Sequence, residues 1–306
     1  MRRFAVLCLV VLCLFFLGAA QADEASRVFR VGEKAPFSAD AAIFDLYVCP
    51  LLGADCMVLT FGEQIMLVDM GKANDYETIK SVLTERGIDH IDIAFNTHPH
   101  TDHLGSMKQI LTDYPVGVFM TAFPENYTDS DVIQISTLRA VREAGVPVET
   151  VQDGTQFMLG DARMTVIRQT KYSNPNPLSA MLKVEYGECS LLLCADVIGS
   201  AQLELAETHD LKADIFKFPH HGLNKVMREF LEDIDPEYAF FTHGYANTTA
   251  AQEQLTAYGI PHDFATWGVI HLSTDGTYWL VEQTLNENGV RYAQKFRPPV
   301  ETESNE

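Results

Sequence analysis

The stretch Asn96-Thr97-His98-Pro99-His100-Thr101-Asp102-His103-Leu104-Gly105 places three histidines and one carboxylate within six residues. It follows an apolar run, Ile91-Asp92-Ile93-Ala94-Phe95, that reads as a buried strand. Residues 107–114 have helical spacing, so the cluster sits on a strand-to-helix loop. Loops of that kind hold functional groups on a rigid scaffold while leaving them open to solvent. Neutral imidazole and carboxylate are the ligands that suit zinc and related divalent ions. On an extended segment a His-x-His pair turns both rings to one side, because side-chain direction repeats every two residues. Asp102 and His103, at the turn into the helix, then face a second ion. The spacing predicts a metal site with His98, His100, Asp102 and His103 as ligands.

Other polar groups stand at the ends of apolar runs. Asp196 closes Leu191-Leu192-Leu193-Cys194-Ala195, where a carboxylate would be stranded in a core unless it bound something. In Phe216-Lys217-Phe218-Pro219-His220-His221-Gly222 a strand again ends in histidines. Adjacent histidines point different ways, so at most one of His220 and His221 binds a given ion, and the spacing leaves open which. Asp69, in Met66-Leu67-Val68-Asp69-Met70-Gly71, is placed to accept a hydrogen bond from the ligand loop and orient it.

The rest of the chain supplies ordinary scaffold. Strand-like runs at 43–48, 57–61 and 65–70 precede a helix at 75–86 and the strand that delivers the cluster. A strand at 116–123 and a helix at 132–143 follow, then strands at 158–168, 181–186 and 190–194. Helix and strand alternate at 201–208, 215–218, 226–231, 239–242 and 250–258. Two final strands at 269–273 and 277–282 flank Thr274-Asp275-Gly276. The mixture predicts one α/β domain over 41–284, with a linker at 23–40 and a loose polar tail at 285–306.

Of the 306 residues 47% are apolar, enough for a sizeable core. The N-terminus departs from this globular pattern. Arg2 and Arg3 precede an apolar run at 4–17, and Ala20-Gln21-Ala22 then offers a small-x-small cleavage site. That three-part arrangement predicts a signal peptide at 1–22 and a secreted, extracytoplasmic product. No other segment is long and apolar enough to span a bilayer. Cleavage removes the two arginines and takes the formal charge from -20 to -22. Such an acidic balance disfavours nucleic acid as a partner, because that binding depends on Lys and Arg neutralising phosphates. Cys49, Cys56, Cys189 and Cys194 remain after cleavage. The first two flank a turn-like stretch and could close a hairpin as a disulfide; the last two point to opposite faces of one strand.

In their order, strand-Asp-x-Gly, His-x-His-x-Asp-His, strand-Asp and strand-His, these residues resemble the metallo-β-lactamase superfamily. Leu178-Ser179, Pro219-His220-His221-Gly222, Trp267-Gly268-Val269-Ile270 and Asp275-Gly276 are most similar to the branch of ComEC-type competence-protein domains and phosphorylcholine esterases. The resemblance spans residues 43–283. It implies an αββα sandwich with two zinc ions where the sheets meet. The first would be held by His98, His100 and Asp196, the second by Asp102, His103, Asp196 and His221, the family favouring His221 over His220. It further implies a hydrolase in which an ion-bound water attacks, Asp102 steers that water and His220 takes part in catalysis. A phosphodiester or other phosphoester is the expected substrate. An amide or lactone hydrolase is the alternative enzyme, and a secreted metal-binding interaction module the alternative outside catalysis. Tyr172, Asn174, His243, Tyr245 and Trp267 are candidate substrate contacts on nearby loops. The chain departs from the family in three places. No histidine lies between His103 and His209, Ala195 replaces the usual Gly before the strand-end Asp, and Leu223 replaces a Ser.

Overall fold

A computed structural model describes residues 26–30 and 32–296. Seven strands form most of a first sheet: β1 (Val28–Arg30), β2 (Phe44–Val48), β3 (Met57–Phe61), β4 (Gln64–Val68), β5 (Ile91–Asn96), β6 (Val116–Thr121) and β7 (Val148–Thr150). Seven more form a second: β8 (Gln156–Leu159), β9 (Ala162–Ile167), β10 (Met181–Tyr186), β11 (Cys189–Leu193), β12 (Ile215–Lys217), β13 (Tyr238–Phe241) and β14 (His262–Phe264). The chain then returns to the first sheet through β15 (Gly268–Thr274) and β16 (Trp279–Leu285). Strand orders are β1-β16-β15-β2-β3-β4-β5-β6-β7 and β14-β13-β12-β11-β10-β9-β8.

Side-chain alternation with a period of two builds the layers. Phe44, Leu46 and Val48 of β2, with Met57, Leu59 and Phe61 of β3, meet Leu182, Leu191, Leu193 and Phe240 between the sheets. Val58, Ile65 and Leu67 face the other way, onto α1 (Tyr76–Glu85), α3 (Met107–Asp113) and α4 (Gln134–Glu143). A one-turn helix, α2 (Thr101–Leu104), precedes α3. Leu192, Phe216 and Phe241 pack on α5 (Ser200–Thr208), α6 (Arg228–Ile234) and α7 (Thr249–Ala257). Two sheets inside and helices outside make the expected αββα sandwich.

Several sequence expectations change. The run 158–168 is a hairpin rather than one strand. Gly160 turns it with φ +56°, and a Cβ there would lie 2.1 Å from the Phe61 ring, so both space and backbone demand glycine. Part of the expected linker is β1, parallel to β16 and held by Arg27 N donating to the Glu237 carboxylate. Part of the expected loose tail is a helix, α8 (Glu287–Phe296). Asn286 caps it, its Oδ1 accepting from Gly289 N at 2.9 Å, and Gly289 seats the helix against the Trp267 carbonyl. Cys49 and Cys56 do pair across a hairpin, Cys49 N donating to Cys56 O at 3.0 Å, but both are buried free thiols rather than a disulfide. Burial and the hydrogen bond between them, the latter first, push the Cys56 thiol well above its usual range. Among the described residues no helix is long and apolar enough to cross a membrane. The expected signal peptide lies outside the described residues.

Candidate metal centre

The site forms at the carboxyl ends of neighbouring parallel strands. β4 runs parallel to β5, and β11, β12 and β13 run parallel to one another, so the loops leaving them emerge on one edge of the sandwich. Asp69 follows β4, the His98 cluster follows β5, Asp196 follows β11, and His220 and His221 follow β12.

Backbone strain marks the same loops. Asp69, Ala195, His220 and His221 all have positive φ, at 59°, 46°, 49° and 54°. Non-glycine residues in that region cost of the order of 1–2 kcal/mol each and persist where surrounding contacts dictate them. Here those contacts are specific. Asp69 is buried and accepts four hydrogen bonds from the ligand loop. Oδ1 takes Thr97 N (2.9 Å) and Asn96 Nδ2 (3.2 Å); Oδ2 takes the Thr97 hydroxyl (2.7 Å) and lies 2.7 Å from His103 Nδ1. Having given its proton to Asp69, the Thr97 hydroxyl accepts from His98 Nδ1 at 3.1 Å. His221 Nδ1 lies 3.0 Å from Asp55 Oδ1 and from Thr242 Oγ1. In each of these three rings Nδ1 is anchored, which leaves Nε2 to face inward.

The inward atoms converge on Asp196. Its Oδ2 lies 3.4 Å from His103 Nε2, 3.5 Å from His221 Nε2, 3.7 Å from His98 Nε2 and 4.0 Å from His220 Nε2. His100 Nδ1 lies 3.1 Å from His98 Nε2, and Asp102 Oδ2 lies 3.4 Å from His221 Nε2. Two ligands on one tetrahedral ion, with bonds of about 2.0–2.2 Å, stand about 3.3–3.6 Å apart. The observed spacings cluster around that value. His103 Nε2 and His221 Nε2 are buried and have no hydrogen-bond partner, a state that costs roughly 1–3 kcal/mol per group unless something binds there. The donor set and the orphaned nitrogens both fit divalent ions. All six predicted ligands are brought together, with Asp196 between the two groups.

Electrostatics point the same way. Burial and the neighbouring His103 push His98 well below its ordinary value, and burial lowers His100. Both rings are therefore neutral donors. For His221, burial opposes the charged form, but Asp196, Asp55 and Asp102 outweigh it and raise the ring to about 9. His103 is raised in the same manner by Asp196 and Asp69 against burial. Burial disfavours the Asp196 and Asp102 carboxylates, yet the surrounding histidines hold both well below the usual range. The site is thus a cage of carboxylates that draws protons when no other cation is present.

Asp55 and Lys217 belong to the site and carried no role in the sequence reading. Asp55, His103, Asp196 and His221 each offer a donor atom within 4.8 Å of the others. However, Asp55 has both oxygens engaged, Oδ1 by His221 Nδ1 and Oδ2 by the Lys217 ammonium at 2.6 Å. It holds the His221 ring through Nδ1, and Asp102, 3.4 Å from His221 Nε2, is the carboxylate better placed for a metal. The signals were present: a lysine between two phenylalanines on a wholly buried strand, and an aspartate enclosed by apolar neighbours after Gly53.

The expected substrate contacts divide. Asn174 is exposed and its Oδ1 accepts from Asn176 N, so Asn176 is the residue that reaches the site, with Nδ2 3.4 Å from His220 Nε2. Trp267 is buried against Phe264 and Tyr245, which makes it a packing residue. Tyr172 packs against the core and its hydroxyl lies 2.9 Å from Ser200 Oγ. His243 lies over Gly53 beside the site, where burial and the charge of His221 lower its pKa.

Known proteins match this chain at the level of family and fold. The sequence model described as "Metallo-beta-lactamase superfamily" matches residues 49–243. "ComE operon protein 3" of Bacillus subtilis (strain 168) is 29% identical over 171 residues, 54% of this chain and 21% of that protein. "Competence protein ComA" of Neisseria gonorrhoeae is 26% identical over 204 residues, 64% of this chain and 27% of that protein. The chain therefore spans about a quarter of the length of these curated relatives. The metallo-beta-lactamase fold protein YhfI from Bacillus subtilis, a solved structure, shares the fold with a TM-score of 0.51. It is 13% identical and the match covers 73% of this chain and 96% of that one.

Proposed function

The chain belongs to the metallo-β-lactamase superfamily, and from that premise we propose that it is a zinc-dependent hydrolase of phosphoesters, acting outside the cytoplasm on a small phosphodiester. The convergence of His98, His103, His220 and His221 on Asp196 Oδ2 carries this reading. His98, His100 and Asp196 would hold one ion, and Asp102, His103, Asp196 and His221 a second. Ions bound there supply Lewis acidity and acidify coordinated water, and a pair of them suits in-line displacement at phosphorus.

The protein groups around that centre have separable roles. Asp102 is the ligand carboxylate with solvent access, its side chain 27% exposed, so its free oxygen accepts the proton of the attacking water and aims it. His220, 24% exposed, faces Asp196 and Asn176 through Nε2 and Asn224 through Nδ1 at 3.3 Å. From there it donates to the departing oxygen, while the Asn176 amide donates to a phosphoryl oxygen. The charge of -20 favours a small ester over nucleic acid. The signal-like arrangement of residues 1–22 supports export.

A screen of the zinc-loaded mature protein tests this reading. Bis(4-nitrophenyl) phosphate, 4-nitrophenyl phosphate, a lactone and a β-lactam would be offered to wild type and to Asp196→Ala. Turnover of the diester that disappears in Asp196→Ala is the expected result. Lactone or β-lactam turnover without any phosphoester turnover would replace the phosphoesterase reading with an acyl hydrolase. Wild-type turnover by Asp196→Ala would end the metal-dependent reading altogether.

A further inference from the structure

Lys217 carries an ammonium into an enclosed part of the molecule. It lies on β12, between β11 and β13 in the middle of the second sheet, and none of its surface is exposed. A charge buried there is costly unless it is paired and hydrogen-bonded. Nζ lies 2.6 Å from Asp55 Oδ2, 2.8 Å from the Ala195 carbonyl oxygen and 3.8 Å from Asp196 Oδ1. One side chain thus ties together the loop after β2, the strained turn that presents Asp196 and, through Asp55, the ring of His221.

This arrangement confronts a choice built into the cage. Asp55 stands close enough to His103, Asp196 and His221 to complete a four-ligand set with them. Asp102 competes for the same role, with Oδ2 3.4 Å from His221 Nε2. A divalent ion would draw in any uncompensated carboxylate at that distance, because buried charges are weakly screened. We propose that Lys217 is a positioning residue that holds Asp55 off the metal. With one oxygen on the ammonium and the other on His221 Nδ1, Asp55 orients a ligand instead of becoming one, and the second ion keeps the solvent-facing Asp102. Ala195 O accepts from both Lys217 Nζ and His220 N (3.0 Å), so the same ammonium also fixes the turn that delivers Asp196.

The inference rests on the metal-centre reading above, and a metal titration separates the failure of one from the failure of the other. Wild type, Lys217→Met and the double variant Lys217→Met/Asp55→Asn would each be titrated with Co2+ against a chromophoric chelator, as full mature chains, and their visible spectra recorded. Lys217→Met should bind Co2+ at least about tenfold more tightly, with an altered d–d spectrum, because a freed anion joins the ion. The double variant should return both affinity and spectrum towards wild type. Unchanged or weaker binding in Lys217→Met with a wild-type spectrum overturns the role of Lys217 and leaves the metal centre standing. A wild type that binds no Co2+ overturns the metal centre and this inference with it. Should Lys217→Met fail to fold, Asp55→Asn alone carries the test. At saturating Co2+ it should retain the wild-type spectrum with only a weakened affinity, and an altered d–d spectrum would identify Asp55 as a ligand and overturn the proposal.

Discussion

Asp69 Oδ2 lies 2.7 Å from His103 Nδ1, and that contact decides which nitrogen of His103 meets Asp196. An imidazole anchored through Nδ1 presents Nε2, here 3.4 Å from Asp196 Oδ2. Replacing Asp69 by Asn keeps the shape but puts an amide where two donors, His103 Nδ1 and the Thr97 hydroxyl, need an acceptor. Asp69→Asn should weaken metal binding by about 10–100-fold and destabilise the fold by about 1–3 kcal/mol. Chelator competition and denaturant melts would check both. A variant with wild-type zinc affinity would show that the ligand loop orients itself without Asp69.

Protons would compete with any metal ion for the cage. His221 is raised to about 9 in the metal-free fold, above the roughly 6.5 of an unfolded chain. Its stabilising contribution is therefore complete below about 6.5 and is lost as pH rises through about 9. His103, raised for the same reason, adds to that loss. His98 and His100 are lowered, so the unfolded state takes up protons there first and stability falls as pH drops below about 6.5. Metal-free protein should thus melt highest near pH 6.5, losing stability below it and again between about pH 6.5 and 9. Zinc affinity should climb across that interval as His221 gives up its proton. Thermal melts and zinc titrations at stepped pH would show this, and a zinc affinity independent of pH would contradict it.

The part of the site that lay open in the sequence is the part set by short range. His98, His100, Asp102 and His103 share one loop, and strand alternation turns the His98 and His100 rings to one side, with Asp102 and His103 following at the turn into the helix. Asp196 and the His220–His221 pair were legible because each ends an apolar strand, where a polar group demands a partner, whereas the preference for His221 over His220 came only from the family resemblance. Asp55, Lys217 and Asn176 escaped notice because their partners lie far away in the chain and meet only when β11 and β12 stack beside the loop after β2. In the fold, the Gly160 turn was hidden inside an apolar run, and β7 and β14 are each three residues long, too short to show a period. The linker and the tail were read from polarity, whereas β1 is held by edge pairing and α8 by the Asn286 cap.

Ala195 occupies a position that suits glycine. Its φ of 46° is maintained by hydrogen bonds from Lys217 Nζ and His220 N to its carbonyl. Ala195→Gly removes the Cβ penalty at the cost of a looser unfolded chain, and should stabilise the protein by up to about 1 kcal/mol. Metal content should be unchanged. A melting temperature lowered by several degrees would mean that the methyl group packs usefully against the core.

Gly53 offers a way to move His243 without touching a metal ligand. It has φ +60°, donates its N–H to Thr242 O at 2.9 Å, and a Cβ on it would lie 2.8 Å from two atoms of the His243 ring. In Gly53→Ala the ring must swing aside, and the strained backbone costs about 1–2 kcal/mol of stability. Asp55 stays tied to Lys217 and His221, so metal affinity should stay near wild type. If His243 contacts substrate, KM for the diester should rise severalfold while kcat changes little, since positional binding is lost before the chemistry. Full turnover at unchanged KM, alongside a verified shift of the ring by NMR, would remove His243 from the substrate path. A loss of zinc would instead show that the loop from Gly53 to Asp55 moves as one piece with the metal cage.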